Sequence, residues 1–135
     1  MGEPGTICGR RRCRGKEYSC SMELSLAVIG GKWKPLILWH LRETPTMRFS
    51  ALRRTMPAIT QKMLTQQLRE LESDGLLTRT VFAEVPPRVE YALTDLGRGI
   101  IPILEALCRF GKEFEARFGV EPADAPAATA TAVER

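Results

Sequence analysis

One segment, "AITQKMLTQQLRELESDG", restricts the fold more than any other part of the 135-residue chain. At about 100° of turn per residue, Leu64, Leu68 and Leu71 share a helical stripe roughly 60° wide. Thr60 is placed to cap the first N–H groups of this helix, and Gly75 is placed to end it. A different face of the helix carries polar side chains, namely Gln61, Lys62, Thr65, Gln66 and Arg69. The segment therefore predicts a helix that buries one side and presents amides, a hydroxyl and cations on another.

Three shorter helices are predicted ahead of this polar helix. The stretch "SMELSLAVI" predicts a short helix that stops at Gly30 and Gly31. Glycine is the residue type that most easily takes the left-handed conformation after a helix end. The stretch "KWKPLILWHLRE" predicts a core helix with Pro35 in its first turn, where a missing N–H costs little. In "RFSALRRTM", Phe49, Leu52 and Met56 recur at helical spacing before the next proline.

A β-hairpin is predicted after the polar helix. The stretches "LLTRTVF" and "RVEYALT" contain β-branched and aromatic residues, and "AEVPP" joins them. Pro86 and Pro87 belong at the tip, because proline cannot donate to a sheet ladder. Val89, Tyr91 and Leu93 then alternate inward on the second strand. A stiff tip would restrict where the neighbouring arginine points.

A last helix, capped by Thr94, carries a seam of apolar and small residues that suits a partner helix. The seam consists of Ile100, Leu104, Leu107, Gly111, Phe114 and Phe118. Pro102 interrupts it, because an interior proline removes a hydrogen bond and clashes with the previous turn. We therefore expect a kink near residue 98.

These elements predict a mainly α fold with a small antiparallel β-hairpin, in the order of a winged helix-turn-helix domain with terminal dimerisation helices. The domain is expected over residues 18–119. Residues 1–17 lack an apolar period and are expected to form a flexible basic arm, and residues 120–135 a disordered tail.

Positive charge is concentrated in the middle of the chain. Residues 32–69 carry eight basic side chains against one acidic, Glu43, within a chain whose net charge is +4. Such a region suits a polyanion, and the polar helix suits the major groove of double-stranded DNA. The five polar residues of that helix are the candidates for reading bases. The candidates for phosphate contacts are Lys32, Lys34, Arg48, Arg53, Arg54 and, on the predicted hairpin that forms the wing (residues 76–94), Arg88. Solvated basic faces are the alternative.

Other classes of function find less support. The sequence has no Gly-rich phosphate loop, no cluster of His with Asp or Glu, and no nucleophile beside a base, so no enzyme is expected. No CxxC pair is present, and we expect no metal and no cofactor. Aromatic platforms for unpaired RNA bases are lacking.

The apolar runs are too short for a membrane span and no secretory signal is visible, so we expect a cytoplasmic protein. A winged helix that binds another protein remains an alternative.

The motifs GGKW, RFSALRR, ITQKMLTQQLRELE and EVPPRVEYALT, in this order over about residues 20–114, resemble the HxlR family of bacterial transcription regulators, which are winged helix-turn-helix proteins related to the MarR type. The resemblance implies a sequence-specific DNA-binding transcriptional regulator that binds an inverted-repeat operator as a homodimer held by its first and last helices. Half-sites would then lie about one helical turn, roughly 34 Å, apart.

The resemblance also points to Cys20, since a cysteine just before the first helix is common in the family and senses electrophiles or oxidants in some members. Such sensing requires an accessible thiolate stabilised by a helix N-terminus or by cations. A regulator with a small-molecule ligand and no thiol sensing is the alternative. Cys8 and Cys13 are candidates to resolve an oxidised Cys20 or have no role, and Cys108 is expected to be buried.

Overall fold

The computed structural model describes residues 9–123. Their elements, in chain order, are β1 (Arg11–Cys13), β2 (Lys16–Tyr18), α1 (Ser21–Ile29), α2 (Trp33–Leu41), β3 (Met47–Arg48), α3 (Phe49–Thr55), α4 (Gln61–Ser73), β4 (Leu77–Phe82), β5 (Arg88–Leu93), α5 (Asp95–Gly99) and α6 (Ile101–Phe118). The chain forms two compact units, one ending at Leu104 and the other starting at Glu105. Residues 9–123 include no helix that could span a lipid bilayer.

The core of the first unit is built from α2, α3, α4 and the strands beside them. Its fully buried side chains are Ile37, Leu38, Leu41, Leu52, Leu64, Leu68, Leu71 and Leu77. The three leucines predicted from the period of the polar helix are therefore all core residues. Phe49 packs partly buried against the same cluster, and Met56 belongs to it.

Both ends of α4 are set by residues that lie next to them in the sequence. The hydroxyl of Thr60 accepts a hydrogen bond from the Met63 N–H at 3.0 Å, which satisfies one of the free donors of the first turn. At the other end Gly75 has φ +82°, and the Leu76 N–H donates back to the Leu71 carbonyl at 3.0 Å. This left-handed glycine ends the helix as the sequence predicts.

The predicted hairpin is part of a larger sheet. Strands β4 and β5 pair antiparallel with Leu77 opposite Leu93, and Tyr91 and Leu93 point into the core. The sheet also contains β3, which pairs with β5 and gives the order β3-β5-β4. A strand as short as Met47–Arg48 has no alternation to detect, which is why the sequence did not predict it.

The last predicted helix is two helices, α5 and α6, that break at Ile100 rather than one helix kinked near residue 98. Pro102 has no N–H to donate to the Arg98 carbonyl, so the hydrogen-bond ladder cannot continue from α5. The side chain of Thr94 caps α5 by accepting from the Gly97 N–H at 3.0 Å.

The N-terminal region departs from the prediction of a flexible arm over residues 1–17. Residues 1–8 lie outside the described part, but β1 and β2 form an antiparallel hairpin. Cross-strand pairs stabilise it: Arg12 pairs with Glu17, and the Arg11 guanidinium lies 4.9 Å from the centre of the Tyr18 ring. Because these pairs are charged or aromatic, they leave no apolar period in the sequence. The predicted tail, residues 120–135, is described only as far as residue 123.

Gly97 is expected to tolerate no side chain, because a Cβ there would collide with the backbone carbonyl of Leu76. Gly97→Ala should lower the free energy of unfolding by about 1–3 kcal/mol, the usual cost of overpacking. Urea denaturation followed by circular dichroism measures this. Gly99→Ala is the matched control, since a Cβ on Gly99 meets open space. Equal stability of the two variants would contradict the assigned close contact.

Candidate nucleic-acid interface

The polar face of α4 lines an open groove of about 670 Å³. Its walls are Gln61, Lys62, Thr65, Gln66, Arg69 and Glu70. All five candidate base-reading residues are thus brought together on one surface, and only Thr65 among them is half-buried. The groove offers amide, hydroxyl and cationic donors, together with the acceptors of two glutamines and one carboxylate.

Two neighbouring depressions extend this surface. One, of about 470 Å³, lies between α3 and the start of α4, and it is lined by Phe49, Ser50, Arg53, Arg54, Pro57 and Gln61. The other, of about 220 Å³, lies between α4 and the sheet and contains Arg79. Gln61 lines all three, so the α4 groove continues on both sides into regions that carry arginines.

Arg79 is a candidate that the sequence analysis missed. It is exposed on β4 and lines the smallest depression together with Gln61, Thr65 and Arg69. The sequence does contain one indication of where Arg79 lies. It follows Leu77 by two residues, and residues at that spacing share one face of a strand. That face is the one turned toward α4.

Of the remaining cations, Arg48 and Lys32 are exposed outside these depressions. Arg48 occupies the N-cap position of α3 and pairs in the sheet with Glu90. The Lys32 ammonium lies 4.6 Å from the centre of the Trp33 ring. Both retain an accessible charge.

Lys34, which is expected to contact phosphate, forms an ion pair within the fold. Its side chain is only 12% exposed, and its Nζ lies 2.6 Å from Oε1 of Glu70 on α4. This contact, followed by a hydrogen bond from Gln66, lowers the pKa of Glu70. A phosphate would have to compete with this carboxylate for the ammonium, and the phosphate contact expected of Lys34 stays a prediction.

The Arg88 side chain, next to the wing tip, is also held by contacts within the fold. Its Nη2 lies 3.2 Å from Glu84, its Nε lies 3.4 Å from Glu90, and its guanidinium stacks 4.0 Å from the centre of the Phe82 ring. Its side chain is 27% exposed. The prolines do lie in the exposed turn, but the guanidinium is already paired with two carboxylates of its own hairpin. A phosphate would have to displace these carboxylates, and the phosphate contact expected of Arg88 stays a prediction.

Cys20 occupies the N-cap position of α1 and is exposed. Its carbonyl accepts the Glu23 N–H at 2.8 Å, and its thiol makes no capping hydrogen bond. The Ser19 N–H and then Arg10 lower the pKa of Glu23, which lies in the first turn. Cys13 is also an exposed free thiol, and Cys8 lies outside the described residues.

The residues predicted for the dimer seam divide between the two units. In the first unit, Leu104 is 4% exposed and Ile100 packs against the core cluster, so Leu104 is a core residue rather than an interface residue. In the second unit, Leu107 is 54% and Phe114 is 52% exposed, and Gly111 is half-buried. Phe110 and Phe118 extend this exposed face. Cys108, expected to be buried, is exposed as well.

The fold and the groove define a winged helix-turn-helix DNA-binding protein. The HxlR-like helix-turn-helix family model matches residues 28–118, and the chain belongs to that family. An HTH-type transcriptional regulator of Methanothermobacter thermautotrophicus is 56% identical over 98 residues, which cover 73% of this chain and 74% of that protein. The regulator YtcD of Bacillus subtilis is 56% identical over 96 residues, covering 71% and 75%.

Solved structures agree with this assignment. The redox regulator HypR in its oxidized form matches with a TM-score of 0.66 and 48% identity, covering 70% of this chain and 96% of that chain. Its reduced form matches with a TM-score of 0.67 and 47% identity, covering 70% and 92%. The chain is thus a DNA-binding transcriptional regulator, and its relatives are named as regulators rather than as enzymes.

Proposed function

We propose that two copies of this chain bind an inverted-repeat DNA site in the cytoplasm, each placing α4 in the major groove. The observation that carries the proposal is the groove on α4, where five side chains with base-reading chemistry share one accessible surface. Glutamine can bond adenine and arginine can bond guanine with two hydrogen bonds each, and each such pair contributes about 1–3 kcal/mol of discrimination.

Phosphate contacts in this proposal come from cations with no carboxylate partner in the described residues. Arg53 and Arg54 lie on one side of the α4 groove and Arg79 lies on the other. Arg48 and Lys32 are further candidates. These residues set affinity and its salt dependence rather than the choice of sequence, because phosphates carry no base information.

Selection from a pool of random duplex DNA at two salt concentrations tests the proposal. The full chain should enrich a two-fold symmetric sequence, and its affinity should fall as salt rises. Binding that enriches no sequence at either salt concentration would overturn base reading by α4.

The proposal separates the roles of two arginines that line the same depression. Arg69→Ala should relax preference at one base position, because Arg69 is assigned to a base edge. Arg79→Ala should weaken binding to all sequences and reduce the salt slope by about one contact. Titration of each variant against the selected site and a scrambled site measures both effects. If both variants changed only the preference for one base, Arg79 would not be a phosphate contact.

Dimer formation is supported by the second unit, where Leu107, Phe114 and Phe118 are exposed on α6. The rings of Phe114 and Phe118 lie 4.7 Å apart between their centres. Large apolar side chains grouped on one helix face are typical of an interaction surface.

Leu107→Asp should therefore convert the dimer to a monomer and lower operator affinity at least about tenfold, since one half-site would be lost. Sedimentation velocity gives the mass, and circular dichroism should show unchanged helix content. Lys112→Asp is the matched control, because 100° per residue places it on the opposite side of α6. A Leu107→Asp protein that sediments as a dimer would disprove this interface.

We further propose that Cys20 responds to oxidants or electrophiles. Its exposure just before α1 supports this, since a thiol that responds to oxidants must be accessible to them. The naming of HypR as a redox regulator is consistent with it.

Diamide oxidises two thiols to a disulfide and is itself reduced to the hydrazine, and Cys13 or Cys8 would supply the second thiol. Treatment should change the operator affinity of the native chain and leave that of Cys20→Ser unchanged. Cys108→Ser, another exposed cysteine, is the control and should respond as the native chain does. Fluorescence anisotropy before and after treatment, followed by reduction, measures the response. A full response in Cys20→Ser would exclude Cys20 as the sensor.

A further inference from the structure

Three side chains on α2 and α4 form a continuous polar contact that ends at the α4 groove. Nζ of Lys34 lies 2.6 Å from Oε1 of Glu70, and Nε2 of Gln66 donates to Oε2 of Glu70 at 3.3 Å. Each carboxylate oxygen thus has one partner. Lys34 is the most buried of the three, so the contact runs from the interior to the surface.

This arrangement restricts the amide of Gln66. A free glutamine can exchange the positions of its oxygen and nitrogen, and it presents whichever atom a ligand requires. Here the carboxylate of Glu70 accepts a hydrogen bond from the NH₂ group of Gln66. It would repel the amide oxygen of Gln66 if the amide rotated by 180°. Glu70 is held in turn by the ammonium of Lys34, which reaches α4 from α2.

The atoms of Gln66 that remain unbonded match one base. After one N–H is given to Glu70, one N–H donor and the carbonyl acceptor are left. Adenine offers the complementary pair in the major groove, an N7 acceptor and an N6 donor. The fixed amide therefore presents a donor and an acceptor in a single order.

We propose that Lys34 and Glu70 are positioning residues that orient the Gln66 amide for bidentate recognition of adenine. The inference rests on the proposed reading of bases by α4, and adds to it a specificity role for two residues that touch no base. Ordering one flexible side chain in advance is worth about 0.5–1.5 kcal/mol in binding, or about a twofold to twelvefold change in affinity.

The test begins with the native chain and the site that it selects from random duplex DNA. Gln66→Ala should relax preference at one position in each half-site, where the native chain selects adenine. Glu70→Ala and Lys34→Met should each relax the same position by about twofold to twelvefold. Lys34→Arg, which keeps the cation, should retain the preference.

A double-mutant cycle separates orientation from other effects of Glu70. In the Gln66→Ala background, Glu70→Ala should cause no further loss at that position, because no amide remains to be oriented. A further loss at that position would mean that Glu70 contacts a base itself and would overturn the inference. Unchanged adenine preference in both Glu70→Ala and Lys34→Met would also overturn it.

These outcomes are distinct from failure of the proposed function, in which the native chain selects no sequence at all. Thermal unfolding of each variant identifies any that do not fold. Glu70→Gln then serves as the second variant, since it keeps the size of the side chain and removes the charge that holds Lys34. Its preference should fall between those of the native chain and Glu70→Ala, and a preference equal to native would show that the ion pair has no role in orientation.

Discussion

Burial of Leu64, Leu68 and Leu71 on α4 is the constraint on which the rest of the surface depends. Each side chain is essentially inaccessible, and full burial of a leucine contributes about 1.5–3 kcal/mol. A rotation of α4 by one residue, about 100°, would expose this stripe and bury polar groups. The same packing that stabilises the core therefore fixes which side chains face outward into the groove.

Local neutralisation decides which cations of this basic protein are available to a polyanion. Lys34 and Arg88 are each paired with glutamates at 2.6–3.4 Å, whereas Arg53, Arg54 and Arg79 line open depressions. A count of formal charges along the sequence gives each of these five cations the same weight. Among the described residues, cations without a carboxylate partner therefore contribute most to the field that DNA would meet, and Arg53, Arg54 and Arg79 place such charges on both sides of α4.

The features that sequence predicted correctly are those with local causes. The leucine stripe, the Thr60 cap, the left-handed Gly75 and the β4–β5 hairpin each follow from residues close together in the chain. The contacts that the sequence did not predict include some between residues far apart in the chain. Lys34 meets Glu70 only after α2 packs on α4, and Leu104 is buried only because the core closes over it. The β1–β2 hairpin was missed because its charged and aromatic pairs carry no periodic signal.

The junction at Thr94 has a consequence for how such a chain can vary in length. The hydroxyl of Thr94 donates to the Gly75 carbonyl at 2.6 Å, and its N–H donates to the Leu76 carbonyl at 3.1 Å. One residue thus connects the end of α4, the end of β5 and the start of α5. Insertions in the exposed turn at residues 83–87 leave these bonds in place, whereas an insertion beside Thr94 would break all of them. Length variation among homologous sequences should therefore occur in the wing and be absent from this junction.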